Sequence, residues 1–146
     1  MMKIYFAGSI RGGRTNREIY QEIIAHLQKH GEVLTEHIAS KEISDQGEFW
    51  MDDKKVFASD LNWLINADII VAEVTTPSLG VGFEVATSVE RKKPVLCLYR
   101  KMNGQSISAM IRGCPQVSSH GYEDLGEAKK IIDAFIDEAK IKKPSP

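Results

Sequence analysis

The chain has 146 residues, a formal net charge of -1 and 42 % hydrophobic residues, an ordinary composition for a folded globular protein. This length suits one domain, and the near-neutral charge argues against a nucleic-acid polymer or an anionic membrane as partner. No Cys or His spacing resembles a zinc site, no signal peptide begins the chain, and no apolar run is long enough to span a membrane. We therefore expect no bound metal and a cytoplasmic protein, or a nuclear one if the source is eukaryotic.

Strand-like and helix-like segments alternate along the chain. Short apolar runs predict four strands, at 4–7, 33–34, 68–74 and 95–99, and the segment 116–119 is interpreted as an edge strand. Apolar residues at helical spacing predict helices between and after them, starting near 15, 48, 81, 106 and 124. This alternation predicts an α/β fold: a single-domain, doubly wound, parallel five-stranded sheet of Rossmann-like or flavodoxin-like type. The domain is expected to cover 1–139, with 140–146 as a flexible tail.

Capping residues predict where several helices begin. Thr15 with Glu18, and Asp124 with Glu127, have the spacing of two capping boxes. Ser106 is expected to cap a short helix that follows the fourth strand.

Ligands of doubly wound sheets bind at the carboxyl ends of the strands, which here directs attention to the loops 8–14, 75–80 and 100–106. The first loop has glycines that permit close approach of backbone N–H groups, and Ser9, Arg11 and Arg14 as further donors. It matches neither the dinucleotide fingerprint nor a Walker loop. It is therefore either an anion-binding loop or a flexible strand-to-helix turn.

Several side chains have both a structural and a catalytic interpretation. Glu84 is expected in the first turn of the third helix, either because the helix dipole favours it there or because it is a nucleophile. Glu73, at the end of a buried strand, is the rival carboxylate. Asp60 is either a solvated helix residue or a general acid, and Tyr5 either a core aromatic or a group that orients a carboxylate. His37 either packs in a loop or contacts substrate.

Five segments together form a distinctive pattern: YFAGSIRGGR at 5–14, LTEH at 34–37, DLNWLINAD at 60–68, VAEVTTPSLGVGFE at 71–84 and SAMIRG at 108–113. This pattern closely resembles the 2'-deoxynucleoside 5'-phosphate N-hydrolases, which belong to the wider nucleoside 2-deoxyribosyltransferase group. The resemblance covers most of the chain and is weakest between 40 and 54, which leaves the preferred base open. It implies hydrolysis of a deoxynucleoside 5'-monophosphate to 2-deoxyribose 5-phosphate and free base, through a covalent glycosyl-enzyme intermediate and without a cofactor.

The resemblance also implies roles for individual residues. Glu84 matches the family's nucleophile, Asp60 its general acid/base, and Tyr5 a tyrosine that positions the catalytic carboxylate. The implied substrate contacts fall into four groups: the phosphate and sugar loop, further substrate contacts, the base end, and a segment donated by the second subunit of a homodimer. In that order the groups are Gly8, Ser9, Ile10, Arg11 and Gly12; Ser78 and Gly80; Tyr20 and His37; Ser108, Ala109 and Met110.

Two other functions remain open from the sequence. A nucleoside 2-deoxyribosyltransferase would pass the sugar to another base instead of water, and a non-catalytic nucleotide-binding module would bind ligand through the same loop without breaking a bond. A cytokinin-activating type of phosphoribohydrolase is disfavoured, because its glycine-rich P-G-G-x-G-T-x-x-E pattern is absent from the chain.

Overall fold

The order of strands and helices follows the predicted alternation. The computed structural model describes residues 1–11, 13–35, 52–102, 104 and 106–142. In chain order the elements are β1 (Met2–Gly8), α1 (Gly13–Leu27), β2 (Gly31–Val33), α2 (Asp53–Asn66), β3 (Ile69–Glu73), α3 (Leu79–Glu90), β4 (Val95–Arg100), α4 (Ala109–Arg112), β5 (Val117–Tyr122) and α5 (Leu125–Lys142). Within these ranges, no helix has the length and apolar character needed to cross a bilayer.

The five strands form one parallel sheet in the order β2-β1-β3-β4-β5. In its register, Tyr5 lies opposite Ile70 and Gly8 lies opposite Glu73. The order is that of flavodoxin-like folds, in which ligands bind at the carboxyl edge between β1 and β3, where the strand order reverses. The predicted doubly wound, five-stranded parallel sheet is therefore confirmed.

Alternating side chains of β1 divide the core into two layers. Ile4 and Phe6 pack with apolar residues of α1 and α5 on one face of the sheet. Tyr5 and Ala7 pack on the other face, with apolar residues of α2 and α3. Because successive strand residues point to opposite faces, the phenol of Tyr5 is directed to the side where α3 lies.

The predicted capping box at the start of the first helix is wrong. The helix begins at Gly13, whose φ of +81° is a backbone conformation that glycine adopts without a steric penalty, so Thr15 lies inside it. The Glu18 carboxylate accepts a hydrogen bond from Arg14 Nε at 3.3 Å, one helical turn back.

Two further helix starts differ from the prediction. Ser78 caps α3, with its hydroxyl accepting from Val81 N at 3.2 Å, so the helix begins at Leu79 and Glu84 lies in its second turn. Ser108, and not Ser106, caps α4.

The last helix confirms one half of its predicted capping box. Asp124 Oδ1 accepts a hydrogen bond from Glu127 N at 2.8 Å. The Glu127 carboxylate accepts from the backbone of Glu123 at 3.1 Å. The helix continues to Lys142, so 140–142, predicted as tail, are helical, while 143–146 lie outside the described residues.

Candidate active site

Tyr5 and Glu84 meet on the α3 side of the sheet. The Tyr5 hydroxyl donates a hydrogen bond to Glu84 Oε2, although the two residues are 79 positions apart in the sequence. The sheet makes this contact possible, because β1 directs Tyr5 toward α3 and the second turn of α3 places Glu84 above it. The two residues that the resemblance assigns to the nucleophile and its positioning tyrosine are therefore in direct contact.

The surroundings of Glu84 favour its neutral form more than water does. Burial raises the pKa of the Glu84 carboxyl to about 7, the hydrogen bond from Tyr5 opposes this rise, and the negative charge of Asp60 adds to it. The pKa effect of Asp60 means that the two carboxylates are close enough to interact. A glutamate that titrates near neutral pH in a cleft is a candidate for catalysis.

Both carboxylates line one cavity of about 410 Å³ between α2 and α3. This volume suits a small ligand. An ideal Cβ built on Gly82 would meet no other atom within 4 Å, and one built on Gly80 would come no nearer than 3.8 Å to the Ser78 hydroxyl. Gly80 lines the same cavity as Glu84 and leaves open space there, whereas Gly82 faces the other side of α3. The lining residues are Asp53, Val56, Phe57, Asp60, Leu61, Leu64, Leu79, Gly80, Phe83, Glu84 and Thr87.

Glu73, the rival carboxylate, has a different environment. It is 1 % exposed and accepts hydrogen bonds from the backbone N–H of Thr75 at 2.7 Å, from the Thr75 hydroxyl at 2.9 Å and from the Tyr122 hydroxyl. Tyr122 belongs to the core layer of α1 and α5, so Glu73 points to the opposite face of the sheet from Tyr5. Its oxygens are occupied by these donors, which indicates a structural role.

The loop after β1 combines buried and exposed residues. Ser9 is buried, Ile10 is half-buried and Arg11 is exposed. A Cβ on Gly8 would lie 2.7 Å from the ring of Tyr20, so only glycine fits beneath that ring without a shift. Tyr20 itself is buried in α1, and its hydroxyl has no well-formed hydrogen bond to any described residue. The close packing of Gly8 against the Tyr20 ring therefore fixes where this loop begins.

Sequence reasoning missed a chain of hydrogen bonds that joins β4, α1 and the loop between β3 and α3 at the carboxyl edge of the sheet. Arg100, at the end of β4, donates to the Asn16 side-chain oxygen at 2.6 Å, and the Asn16 amide donates to the Thr76 hydroxyl at 2.7 Å. Asn16 lies in the first turns of α1 and is buried. The only signal in the sequence was the position of Arg100, directly after an apolar strand.

The remaining predicted contacts lie around this edge, with different local roles. The Ser78 hydroxyl caps α3. Ser108, Ala109 and Met110 are exposed at the start of α4. Ser108 and Met110 of this chain line a separate, mostly apolar cavity of about 900 Å³, on the other side of α3, whose lining does not include Glu84.

Two predicted substrate contacts, Gly12 and His37, lie outside the described residues, and so does most of the segment 40–54. The structure therefore brings together Tyr5, Asp60, Glu84 and Gly80.

Comparison with known proteins gives the family group that the sequence pattern resembles. The family model for nucleoside 2-deoxyribosyltransferase matches residues 4–131. A relative from Tetraodon nigroviridis named 5-hydroxymethyl-dUMP N-hydrolase is 44 % identical over 142 residues, covering 95 % of this chain and 100 % of the relative. The human protein of the same name is 44 % identical over 138 residues, covering 92 % of this chain and 79 % of its own.

Among solved structures, a CMP N-glycosidase from Clostridium botulinum has the same fold. The TM-score is 0.66 at 18 % sequence identity, with 90 % of this chain and 98 % of the other covered. Fold and site together define the class: a flavodoxin-like α/β protein with two carboxylates in a cavity at the carboxyl edge of its sheet. Because the family model covers most of the sequence, the chain belongs to the nucleoside 2-deoxyribosyltransferase family.

Proposed function

We propose that this chain is a glycosidase that hydrolyses the N-glycosidic bond of 2'-deoxynucleoside 5'-monophosphates, releasing 2-deoxyribose 5-phosphate and the free base. The observation that carries this proposal is the Tyr5–Glu84 contact in a cavity that also holds Asp60. Relatives of nearly the same length that are named 5-hydroxymethyl-dUMP N-hydrolase support the substrate class.

In the proposed mechanism, ionised Glu84 attacks C1' of the sugar and forms an ester with it while the bond to the base breaks. The base leaves with the bonding electron pair and takes up a proton. A water molecule then attacks C1', releases 2-deoxyribose 5-phosphate and restores the Glu84 carboxylate. Asp60 either protonates the departing base or accepts the proton of this water, because it lies beside Glu84 on the facing helix.

Tyr5 has the role of holding the nucleophile. Its hydroxyl donates to one carboxylate oxygen of Glu84, which fixes the side chain and stabilises the charged form against the desolvation that raises its pKa. The missing 2'-hydroxyl of a deoxyribose withdraws less electron density, so the cationic transition state is reached more easily than with a ribose.

The loop Gly8–Arg11, with Gly12, is the proposed phosphate and sugar clamp. It precedes the N-terminus of α1, where backbone N–H groups and the helix dipole favour an anion. Arg11 is exposed and free to fold over a bound phosphate, and Ser9 adds a hydroxyl. Binding energy from the remote phosphate would hold the sugar over Glu84 and would therefore contribute to turnover as well as to affinity.

We further propose that the site is completed by a second copy of the chain. Leu79 is 96 % exposed and Met110 is 85 % exposed, which is unusual for large apolar side chains in a molecule that acts alone. The segment Ser108–Met110 does not line the cavity between α2 and α3 that contains Glu84 of its own chain. In a homodimer it would contribute to the neighbouring cavity, and Ser78, Tyr20 and His37 would supply the remaining substrate contacts.

A substrate panel tests the proposed function. The protein is incubated with deoxynucleoside monophosphates including 5-hydroxymethyl-dUMP, with ribonucleoside monophosphates and with free deoxynucleosides, and released base is measured by chromatography. We expect release from the deoxynucleotides to be much faster than from the free deoxynucleosides and no release from the ribonucleotides. Adding a second free base separates hydrolysis from transfer, because a deoxyribosyltransferase would form the exchanged nucleotide. Calorimetric binding of a deoxynucleotide without any base release would instead support a binding module and would overturn the proposal.

A further inference from the structure

Two histidines and an aspartate meet at the end of α1 that is remote from the substrate loop. His26 is in the last turn of the helix, His30 follows one turn later, and Asp133 approaches from α5. The Nε2 atom of His26 lies 2.6 Å from Asp133 Oδ1, and the Nε2 atom of His30 lies 2.7 Å from the same oxygen. These three atoms all lie within 4.8 Å of one another.

The chemistry of this cluster is that of a metal site. Two imidazole nitrogens and a carboxylate oxygen are donors that Zn²⁺ and neighbouring transition metals prefer, whereas Mg²⁺ and Ca²⁺ prefer oxygen alone. His30 lies in the turn that follows α1, and this turn brings its ring to 5.5 Å from that of His26, measured between centroids. Both rings direct Nε2 to the same oxygen of Asp133, so one cation between the three atoms could be bound by all of them.

The geometry needs only a small adjustment to bind zinc. Zinc–ligand bonds of about 2.0–2.1 Å in a tetrahedron separate the ligand atoms by about 3.3 Å. The oxygen of Asp133, now 2.6 and 2.7 Å from the two nitrogens, would therefore move away from each by somewhat more than half an ångström, and the nitrogens, which lie within 4.8 Å of each other, would take the same separation of about 3.3 Å. The Asp133 side chain is 47 % exposed, so it is free to move, and solvent has access for a water molecule as the fourth ligand.

We propose that His26, His30 and Asp133 bind one Zn²⁺ ion, or a divalent transition metal of similar chemistry, and thereby link α1 to α5. The His26 side chain is only 11 % exposed, and its Nδ1 atom is buried without a hydrogen-bond partner among the described residues. Zinc-bound histidines almost always donate a hydrogen bond from the second nitrogen, and loss of such a partner weakens binding about 10- to 100-fold. The site is therefore weaker than a closed structural zinc site.

Zinc bound in this way stabilises the folded chain. The ligands come from the end of α1, from the turn after it and from α5, which are held together only when the chain is folded, so the ion binds the native state preferentially. At a free zinc concentration 100 times the dissociation constant, the unfolding equilibrium constant should fall by about 100-fold. Mg²⁺ should have no comparable effect.

The test uses tag-free protein, with zinc binding measured by calorimetry and unfolding by urea with and without ZnCl₂. His30→Gln and Asp133→Asn each remove one ligand at a partly exposed position. His120→Gln is the matched control, because His120 is an exposed histidine of β5 outside the cluster. We expect one zinc ion per chain in the wild type and in His120→Gln, and binding at least 10-fold weaker in the other two variants.

Two results would overturn the proposal. One is the absence of any zinc-dependent increase in the urea midpoint of the wild type. The other is zinc binding in His30→Gln and Asp133→Asn that is as tight as in the wild type, which would place the ion elsewhere in the chain. Since each variant is measured with and without zinc, a change in its intrinsic stability does not affect the comparison.

Discussion

Glu73 and Glu84 illustrate how one residue type acquires two roles at the same edge of a sheet. Glu73 points to the α1 and α5 face, where Thr75 and Tyr122 donate to its oxygens. Glu84 lies on the other face and receives a hydrogen bond from Tyr5 while it borders an open cavity. A carboxylate with its acceptors occupied is suited to structure, and a desolvated one beside a cavity is suited to catalysis.

Glu84 should make the stability of the wild type depend on pH. Its pKa is about 7 in the folded chain and 4.5 as an unperturbed glutamate, so its contribution to stability is complete below pH 4.5 and is lost as pH rises through 7. Relative to Glu84→Gln, the wild-type free energy of unfolding should therefore fall by up to about 3 kcal/mol between pH 4.5 and 8. Urea unfolding of both proteins at the two pH values measures this difference. A difference that does not change with pH would mean that Glu84 is not desolvated.

Tyr5→Phe tests the hydrogen bond to the same carboxylate. The tyrosine lowers the pKa of Glu84, so its removal should raise that pKa further and shift the acidic limb of the pH–rate profile to higher pH. The activity at pH 6 should decrease more than the activity at pH 8.5. The profile of base release between pH 5 and 9 measures the shift, and parallel profiles of the two proteins would contradict it.

At the scale of the elements, the proposed binding of substrate phosphate by the loop between β1 and α1 depends on Arg11. Arg11→Ala should lower kcat/KM for deoxynucleoside monophosphates by roughly 10- to 100-fold, the value of one or two charge-assisted hydrogen bonds. Slow cleavage of free deoxynucleosides, where measurable, should change little. Arg14→Ala is the control, because Arg14 is exposed and pairs with Glu18. Normal cleavage of deoxynucleotides by Arg11→Ala would remove the loop from the proposed site.

The strands and helices also show which features of the fold can be predicted from sequence patterns. Apolar runs predicted β1, β3 and β4, because central parallel strands are buried on both faces and are continuously apolar. The edge strand β5, with the sequence VSSHGY, lacks such a run, and its predicted bounds, 116–119, differ from the observed Val117–Tyr122. Helix starts were less certain, because several local hydrogen bonds compete at a helix terminus. Glu18 pairs with Arg14, and Ser78 caps α3, so that the helix begins at Leu79, two residues before the predicted start. That early start moved Glu84 out of the first turn, which weakens the interpretation that the helix dipole alone placed it there.

At the scale of the whole molecule, the contacts that define both sites are long-range. Tyr5 and Glu84 are 79 residues apart, and His26 and Asp133 are 107 residues apart. Periodicity predicts the elements but not which pairs of them meet, so only the family resemblance joined Tyr5 to Glu84 in advance. The histidine cluster had no such help, because Asp133 is far from His26 and His30 in the sequence.

The homodimer is also a property of the whole molecule. Met110→Asp should place a charge in the proposed apolar interface, shift the chain to a monomer and strongly reduce base release. Sedimentation measures the mass. A mixture of Glu84→Gln with Ser108→Ala provides a second test, if each dimer site combines Glu84 of one subunit with Ser108 of the other. Random exchange of subunits should make half of the dimers mixed, and each mixed dimer has one intact site of two. The mixture should therefore recover about a quarter of the wild-type activity. A monomeric and fully active wild type would contradict the proposal.

The central claim is that Glu84 breaks the N-glycosidic bond, and base release by Glu84→Gln tests it most directly. The variant keeps the size and hydrogen-bonding shape of the side chain but cannot form the sugar ester. With 5-hydroxymethyl-dUMP and unmodified deoxynucleotides, we predict equal amounts of free base and 2-deoxyribose 5-phosphate from the wild type, and a decrease of at least about 1000-fold in the variant. Base release by Glu84→Gln within a few-fold of the wild type would contradict the account.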